Sequence, residues 1–239
     1  MATYVLIHGG WCASWCWDFN VKTLENAGHK VICIDLPGHG TNKTIDIEHV
    51  TLKDHVNYIE NFLSGIDTPV ILVAHSMSGM IISQVAEDMP QKVEKLVYFA
   101  AFLPEGNVTM TKYLEEDIWT AVSPETTVNL PNGLCTFEEK FARNMGFNTS
   151  SDEVFQYSIS KMQLENPTMW NEPVNLGSNF KSIPKYYIHT LKDNCCSYYI
   201  QRVMCHRQPV VKEYYLDSDH VAMLSHSEKT NEILLDIAK

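Results

Sequence analysis

The chain reads as an α/β protein, a doubly wound and mostly parallel sheet with a helical cap inserted in its second half. Three observations predict this. Short apolar runs alternate with stretches of helical spacing from residue 4 to about 103, and again from about 181 to the end. One of these runs, Val70–His75, is apolar enough to be covered on both faces; it stops at Ser76, where helical spacing begins at once. Between about 104 and 180 the rhythm gives way to Pro, Gly, Asn and Thr clusters, over a length too great for one loop of a compact domain.

The expected layout is one domain over 1–239, with a core of 1–103 and 181–239 and a cap of about 104–180. A hydrophobic content of 45% supports a sizeable core. No run reaches the roughly 18 apolar residues of a membrane span. With 29 acidic and 18 basic residues the net charge is −11, and no dense Lys/Arg block occurs, which argues against nucleic acid or an anionic membrane as partner. The first residues lead straight into an apolar strand without a signal-like segment, so a cytoplasmic location is expected. The 7 cysteines, among them Cys12, Cys16, Cys33 and the adjacent Cys195 and Cys196, fit neither a zinc pattern nor a disulfide framework. Reduced thiols are the simpler account.

Taken in order, Tyr4–Ile7 is the first strand and breaks at His8-Gly9-Gly10. Glycines at that point let the backbone approach a ligand and leave amide hydrogens free to face a developing oxyanion. The aromatic-rich segment Trp11–Trp17 follows, then a helix over Phe19–Ala27 with Gly28 as its C-cap. Lys30–Asp35 is the second strand, ending in the loop Leu36–Gly40. Helical spacing from Ile47 to Leu63 brings the chain to the strand before Ser76. Met89-Pro90 stops the next helix, and Val93–Ala100 supplies a further strand. In the cap, helices are expected over Thr111–Ala121, Phe137–Met145 and Asp152–Met162, with no strand. Trp119, Phe137, Phe141, Phe147, Met162 and Trp170 are its candidates for lining a pocket, against the competing role of packing the cap. The core resumes with a strand at Lys185–Thr190, a helix at Tyr199–Met204, a last strand at Lys212–Leu216 and a closing helix at Thr230–Ala238.

Ser76 sits in a strand-to-helix turn at the carboxyl edge of the sheet, the position of a nucleophile elbow. The common G-x-S-x-G pattern is replaced by Ala74-His75-Ser76-Met77-Ser78, whose outer residues are the next smallest. A serine hydroxyl needs an imidazole to take its proton and a carboxylate to hold that imidazole. Ser76, Asp193 and His220 each follow a strand, in the order serine, acid, histidine. Among the histidines, only His220 ends a late strand. Asp217 and Asp219 compete for the acid by proximity, but residues so near in sequence rarely fold back onto the outer nitrogen of the same ring, which favours Asp193.

The segments Val5-Leu-Ile-His-Gly-Gly, Leu24-Glu-Asn-Ala-Gly-His-Lys-Val31, Ala74-His-Ser-Met-Ser-Gly, Phe99-Ala-Ala-Phe-Leu-Pro104 and Ser218-Asp-His-Val-Ala-Met-Leu224 together resemble one branch of the α/β-hydrolase superfamily. That branch contains plant hydroxynitrile lyases and plant methylesterases. The resemblance implies an α/β-hydrolase fold with a Ser76, His220 and Asp193 triad, and an oxyanion hole made by the amides of Gly10 and Met77. Capped members often form dimers, so a homodimer belongs to the expectation. The lyases carry a threonine after the first-strand histidine and a lysine after the catalytic one. Gly9 and Val221 stand there in this chain, which favours ester hydrolysis over cyanide release.

The expected function is therefore a serine carboxylic-ester hydrolase acting on a small ester, a methyl ester among the candidates, through an acyl-enzyme and without metal or organic cofactor. A lyase or a non-catalytic ligand-binding protein on the same fold are the alternatives. Gly9, Trp11, His75, Trp119 and Val221 are the residues expected to touch the substrate.

Overall fold

In the computed structural model, which describes Met1–Lys239 throughout, the centre is a six-stranded sheet. Its strands are β1 (Thr3–Ile7), β2 (Lys30–Ile34), β3 (Val70–His75), β4 (Val93–Phe99), β7 (Lys185–Thr190) and β8 (Lys212–Leu216). They run in the order β2-β1-β3-β4-β7-β8, every neighbouring pair parallel. The fold class expected from the alternation of runs is the one observed. β3 is buried along its whole length, as an inner strand covered on both faces must be. The edge strands β2 and β8 are only partly buried and begin with Lys30 and Lys212, a charge pattern that blunts an open edge.

Alternate residues of the inner strands feed two separate apolar layers. Val5, Ile7, Leu72, Ala74 and Tyr98 pack on one face with α2 (Leu52–Ser64), α3 (Ser78–Asp88) and α8 (Tyr198–Arg207). Tyr4, Leu6, Ile71, Val73 and Phe99 pack on the other with α1 (Asp18–Asn26) and α10 (Ser227–Ile237). The helical spacing from Ile47 divides in two. A short 3-10 turn, Ile47–His49, precedes α2, which starts where the Thr51 side chain accepts from the Asp54 amide and the Asp54 carboxylate accepts from the Thr51 amide.

Between β4 and β7 lie the helices α4 (Met110–Glu116), α5 (Glu139–Gly146), α6 (Asp152–Ile159) and α7 (Ser178–Ser182). A two-stranded antiparallel hairpin, β5 (Thr127–Asn129) and β6 (Cys135–Phe137), joins them, where the sequence reading had no strand. The hairpin has a local cause that could have been read. Pro131-Asn132-Gly133 supplies the turn, with Gly133 at φ +86°, between short runs of β-favouring Thr, Val, Cys and Phe. The expected helix over Thr111–Ala121 ends at Glu116, because Asp117 turns its carboxylate onto Ser197 instead of continuing the spiral. A short helix, α9 (Ala222–Ser225), follows the last strand. No helix is long and apolar enough to cross a membrane.

Candidate active site

β3 delivers the serine and α3 carries the chain away from it. Ser76 holds a left-handed backbone at φ +54°, rare for a residue with a side chain. Its carbonyl accepts from the amides of Gly79 and Phe102, both at 3.1 Å, which fixes the turn. Gly79 is the glycine this turn cannot lose: a Cβ there would lie 2.1 Å from the Phe102 carbonyl oxygen. Ser78, standing where a glycine is usual, is fully buried and donates its hydroxyl to the His8 carbonyl, tying the elbow to the loop after β1.

That loop brings Gly9, Gly10 and Trp11 alongside. His8 is buried; its Nδ1 donates to the Gly9 carbonyl at 2.8 Å and its Nε2 accepts from the Leu36 amide at 3.1 Å. Burial, with the charge of His39 beside it, lowers the His8 pKa to about 3, so it is a neutral brace. The amides of Gly10 and Met77 donate to no group of the chain. Both residues line the cavity at Ser76, and unpaired N–H groups are what an oxyanion hole requires. Trp11, at φ +58°, is held by the cap. Its amide donates to Glu165 Oε2 at 3.0 Å, its indole to the Cys135 carbonyl at 3.2 Å, and its carbonyl accepts from Gln163. Nothing in the sequence reading pointed to Glu165. It is almost wholly buried and also accepts from His39 Nε2 at 3.0 Å.

On the other side of Ser76, the loops after β7 and β8 meet. His220 Nδ1 donates to Asp193 Oδ2 at 2.7 Å, with both residues buried. The same carboxylate accepts from Thr190 Oγ1 at 2.8 Å, from Gln201 Nε2 at 3.2 Å and from the amides of Cys195 and Cys196 at 2.8 and 2.9 Å, so its orientation is fixed by five donors. Burial by itself would lower the His220 pKa. The Asp193 carboxylate, with the Cys195 side chain against the ring, outweighs it and holds the pKa well above the ordinary value. Asp219, the competing acid, is engaged elsewhere by the Thr149 amide and the Ser150 hydroxyl, and Asp217 by Lys192. Of the other late histidines, His189 is occupied by Glu213 and His226 by Ser218, and His206 is exposed on α8.

Ser76 Oγ makes no hydrogen bond to His220; both line one cavity, an arrangement that commonly tightens only when substrate enters. His75 Nε2 donates to the His220 carbonyl at 2.9 Å, and the two rings lie 4.4 Å apart. His75 lines the cavity, and its Nδ1 is unpartnered. Its pKa is pushed well down by burial and by His220.

Trp11 and Val221 also line this space, with Phe137, Phe147 and Met162 from the cap. Trp170 lines a second cavity, which shares Gly10, Trp11, Ser76 and Cys195 with the first. Two expected contacts fail. Trp119 is 68% exposed and lines neither cavity, because the turn after α4, held by Asp117 Oδ1 on the Trp119 amide, points it outward. Gly9 lies beneath the site: a Cβ there would come within 2.7 Å of His75 Nδ1 and 2.8 Å of Ser76 Cβ, so the position serves close packing on the elbow. Phe141 lines neither cavity either, since the face α5 turns inward carries Ala142 and Met145. Cys195, absent from the expected contacts, lines both cavities. No Lys or Arg lines either one.

A parallel sheet with a strained serine at the end of its third strand, facing a late histidine and acid, is the architecture of a hydrolase class. Residues 4–233 match the alpha/beta hydrolase family model, and the chain belongs to that family. It is 33% identical to Methylesterase 7 of Arabidopsis thaliana over 98% of this chain and 95% of that protein. The crystal structure of a methylesterase protein, MES16, from Arabidopsis superposes with a TM-score of 0.85 at 24% identity, covering 100% of this chain and 99% of that one. Polyneuridine aldehyde esterase superposes with a TM-score of 0.87 at 23% identity, over all of both chains.

Proposed function

We propose that the protein is a serine carboxylic-ester hydrolase using Ser76, His220 and Asp193, with the amides of Gly10 and Met77 as oxyanion hole. The observation that carries this reading is one cavity shared by a serine in a strained elbow and an imidazole bonded to a buried carboxylate at 2.7 Å. Ser76 Oγ attacks the ester carbonyl as His220 Nε2 takes its proton, Asp193 stabilises the imidazolium, and the two free amides donate to the oxyanion. His220 then returns the proton to the leaving alcohol, and water repeats the sequence on the acyl-enzyme. The names of the relatives point to methyl esters as the first substrates to try. The apolar Val221 beside His220, in a cavity without Lys or Arg, offers no cation to a departing cyanide, which sets ester hydrolysis ahead of the lyase reading. Residues 104–180 act in this reading as the cap. A cytoplasmic location, suited to 7 free cysteines, and a homodimer belong to the same proposal; light scattering checks the latter.

A fluorophosphonate probe should label Ser76 and no other serine in peptide mapping. Ser76→Ala should lower nitrophenyl acetate turnover by about 10⁴-fold or more. Labelling elsewhere, or an unaffected variant, would reject the assignment.

A further inference from the structure

Cys195 is the one cysteine shared by both cavities at Ser76, and ester hydrolysis makes no use of its thiol. Its backbone is pinned from two sides. The amide donates to Asp193 Oδ1 at 2.8 Å, and the carbonyl accepts from Thr120 Oγ1 of the cap at 2.8 Å. The side chain, partly exposed, lies against the His220 ring. The other six thiols differ. Burial raises the pKa of Cys12, Cys16, Cys33, Cys135, Cys196 and Cys205 far above the ordinary cysteine value, and thiols so held are inert. Cys33 alone among them is also partly exposed, and it lines neither cavity.

What the thiol faces is equipped to act on a ligand. His220 is 6% exposed, its Nδ1 is committed to Asp193, and its Nε2 makes no hydrogen bond within the chain. A thiol beside such a nitrogen can pass its proton there as an electrophile approaches. Unpaired amides of Gly10 and Met77 line the smaller cavity with Cys195, and donors of that kind favour an electrophile whose charge comes to rest on a carbonyl oxygen. No Lys or Arg lines either cavity, so the fitting molecule is uncharged. We infer that Cys195 is a second nucleophile of the site, which captures small uncharged α,β-unsaturated carbonyl compounds and thereby shuts off Ser76. Cys195 Sγ bonds to the β-carbon, the carbon–carbon π bond opens to an enolate, and the thiol proton passes through His220 Nε2 to the α-carbon. No leaving group and no co-reactant is required. The adduct fills space at Ser76 that an ester needs. Capture itself is independent of the esterase reading; the loss of turnover rests on it.

The test exposes the full chain to limiting methyl vinyl ketone and maps adducts on all 7 cysteines. Cys195 should react at least about 10-fold ahead of Cys33 or any other cysteine. Nitrophenyl acetate turnover and fluorophosphonate labelling of Ser76 should fall in step with that adduct, and in urea the preference for Cys195 should vanish. Cys195→Ser and Cys195→Ala should each keep their own untreated turnover through the same exposure. His220→Gln leaves the thiol in place without its base, so capture should slow by at least about 10-fold. Melting temperatures identify a variant that fails to fold, and His220→Asn then decides. Adducts spread over several cysteines, capture at an unchanged rate without the imidazole, or a Cys195 adduct with turnover intact would each overturn the inference. Ser76 labelled while Cys195 stays unmodified would sink it and leave the esterase reading standing. Cys195 captured first in a chain that turns over no ester and labels at no serine would sink the esterase reading and uphold the capture.

Discussion

His220 is the one imidazole lining the site whose pKa is raised, since His8 and His75 are both held neutral by burial. As the general base it must be unprotonated, and its pKa is raised, so kcat/KM should climb with pH along a single limb centred above the ordinary histidine value of about 6.5. Asp193→Asn removes the charge that holds the pKa up and leaves burial to lower it. The limb should then move to lower pH while its plateau falls by about 10⁴-fold, as loss of the orienting carboxylate predicts; a pH profile of nitrophenyl acetate turnover reads both. An unmoved limb would mean that another group titrates. Ser76, Asp193 and His220 were readable as candidates because each follows a strand, and strand ends are written in local residue order. Glu165 and Cys195 were not, because their importance lies in which loops the fold lays beside them. Trp119 misled for the converse reason: a large aromatic in a cap signals burial in general, and only the turn after α4 decides that this one faces solvent.

Among the elements, the turn from β3 to α3 is where local sequence and tertiary packing demand most of each other. Its outer glycines are gone, yet the strained Ser76 is retained because Ser78 adds a bond to the His8 carbonyl and Gly79 packs directly on the Phe102 backbone. Gly79→Ala sets a methyl against a carbonyl that belongs to the main chain and cannot turn aside. It should cost about 1–3 kcal/mol by overpacking, seen as a Tm fall of several degrees, with loss of Ser76 labelling as the elbow shifts. Gly65→Ala at the end of α2, where the nearest atom to a new Cβ is 3.5 Å away, is the matched control and should hold Tm or raise it slightly. The parallel sheet was legible because inner strands such as β3 must be apolar throughout, a pattern independent of distant partners. In the hairpin β5–β6 only the Asn132-Gly133 turn was locally legible; its strands are three residues each, too short for alternation to register, and Cys135 completes its pairing with Glu165, far along the chain.

At the scale of the whole molecule, residues between β4 and β7 are fastened to the catalytic loops by buried polar ties. Asp117 accepts from the Ser197 amide beside the acid loop, Asp219 binds Thr149 and Ser150, and Glu165 joins the loops after β1 and β2. The last is an ion pair. His39 Nδ1 lies 3.1 Å from the Pro37 carbonyl and Nε2 3.0 Å from Glu165, both acceptors, so the protonated ring is the form that satisfies both. Burial, with Lys43 nearby, works against that charge, but Glu165 outweighs it and raises the His39 pKa; His8 and His55 pack against the ring as neutral neighbours. A raised folded-state pKa contributes stability in full below the unfolded value and loses it as pH climbs through the folded one. His39 and His220 therefore both make the protein less stable as pH rises, in the same direction in which His220 becomes active. Glu165→Ala strands a buried partner and should cost about 3–5 kcal/mol. Glu165→Gln can still accept from the Trp11 amide but cannot hold His39 charged. Urea midpoints measured from about pH 6 to 9 should flatten in Glu165→Gln by up to one proton's worth, about 1.4 kcal/mol per pH unit, while the slope due to His220 stays. Because Glu165 also fixes the Trp11 amide next to Gly10, Glu165→Ala should lower kcat more than it raises KM; a variant less stable but unchanged in kcat would confine Glu165 to holding the cap.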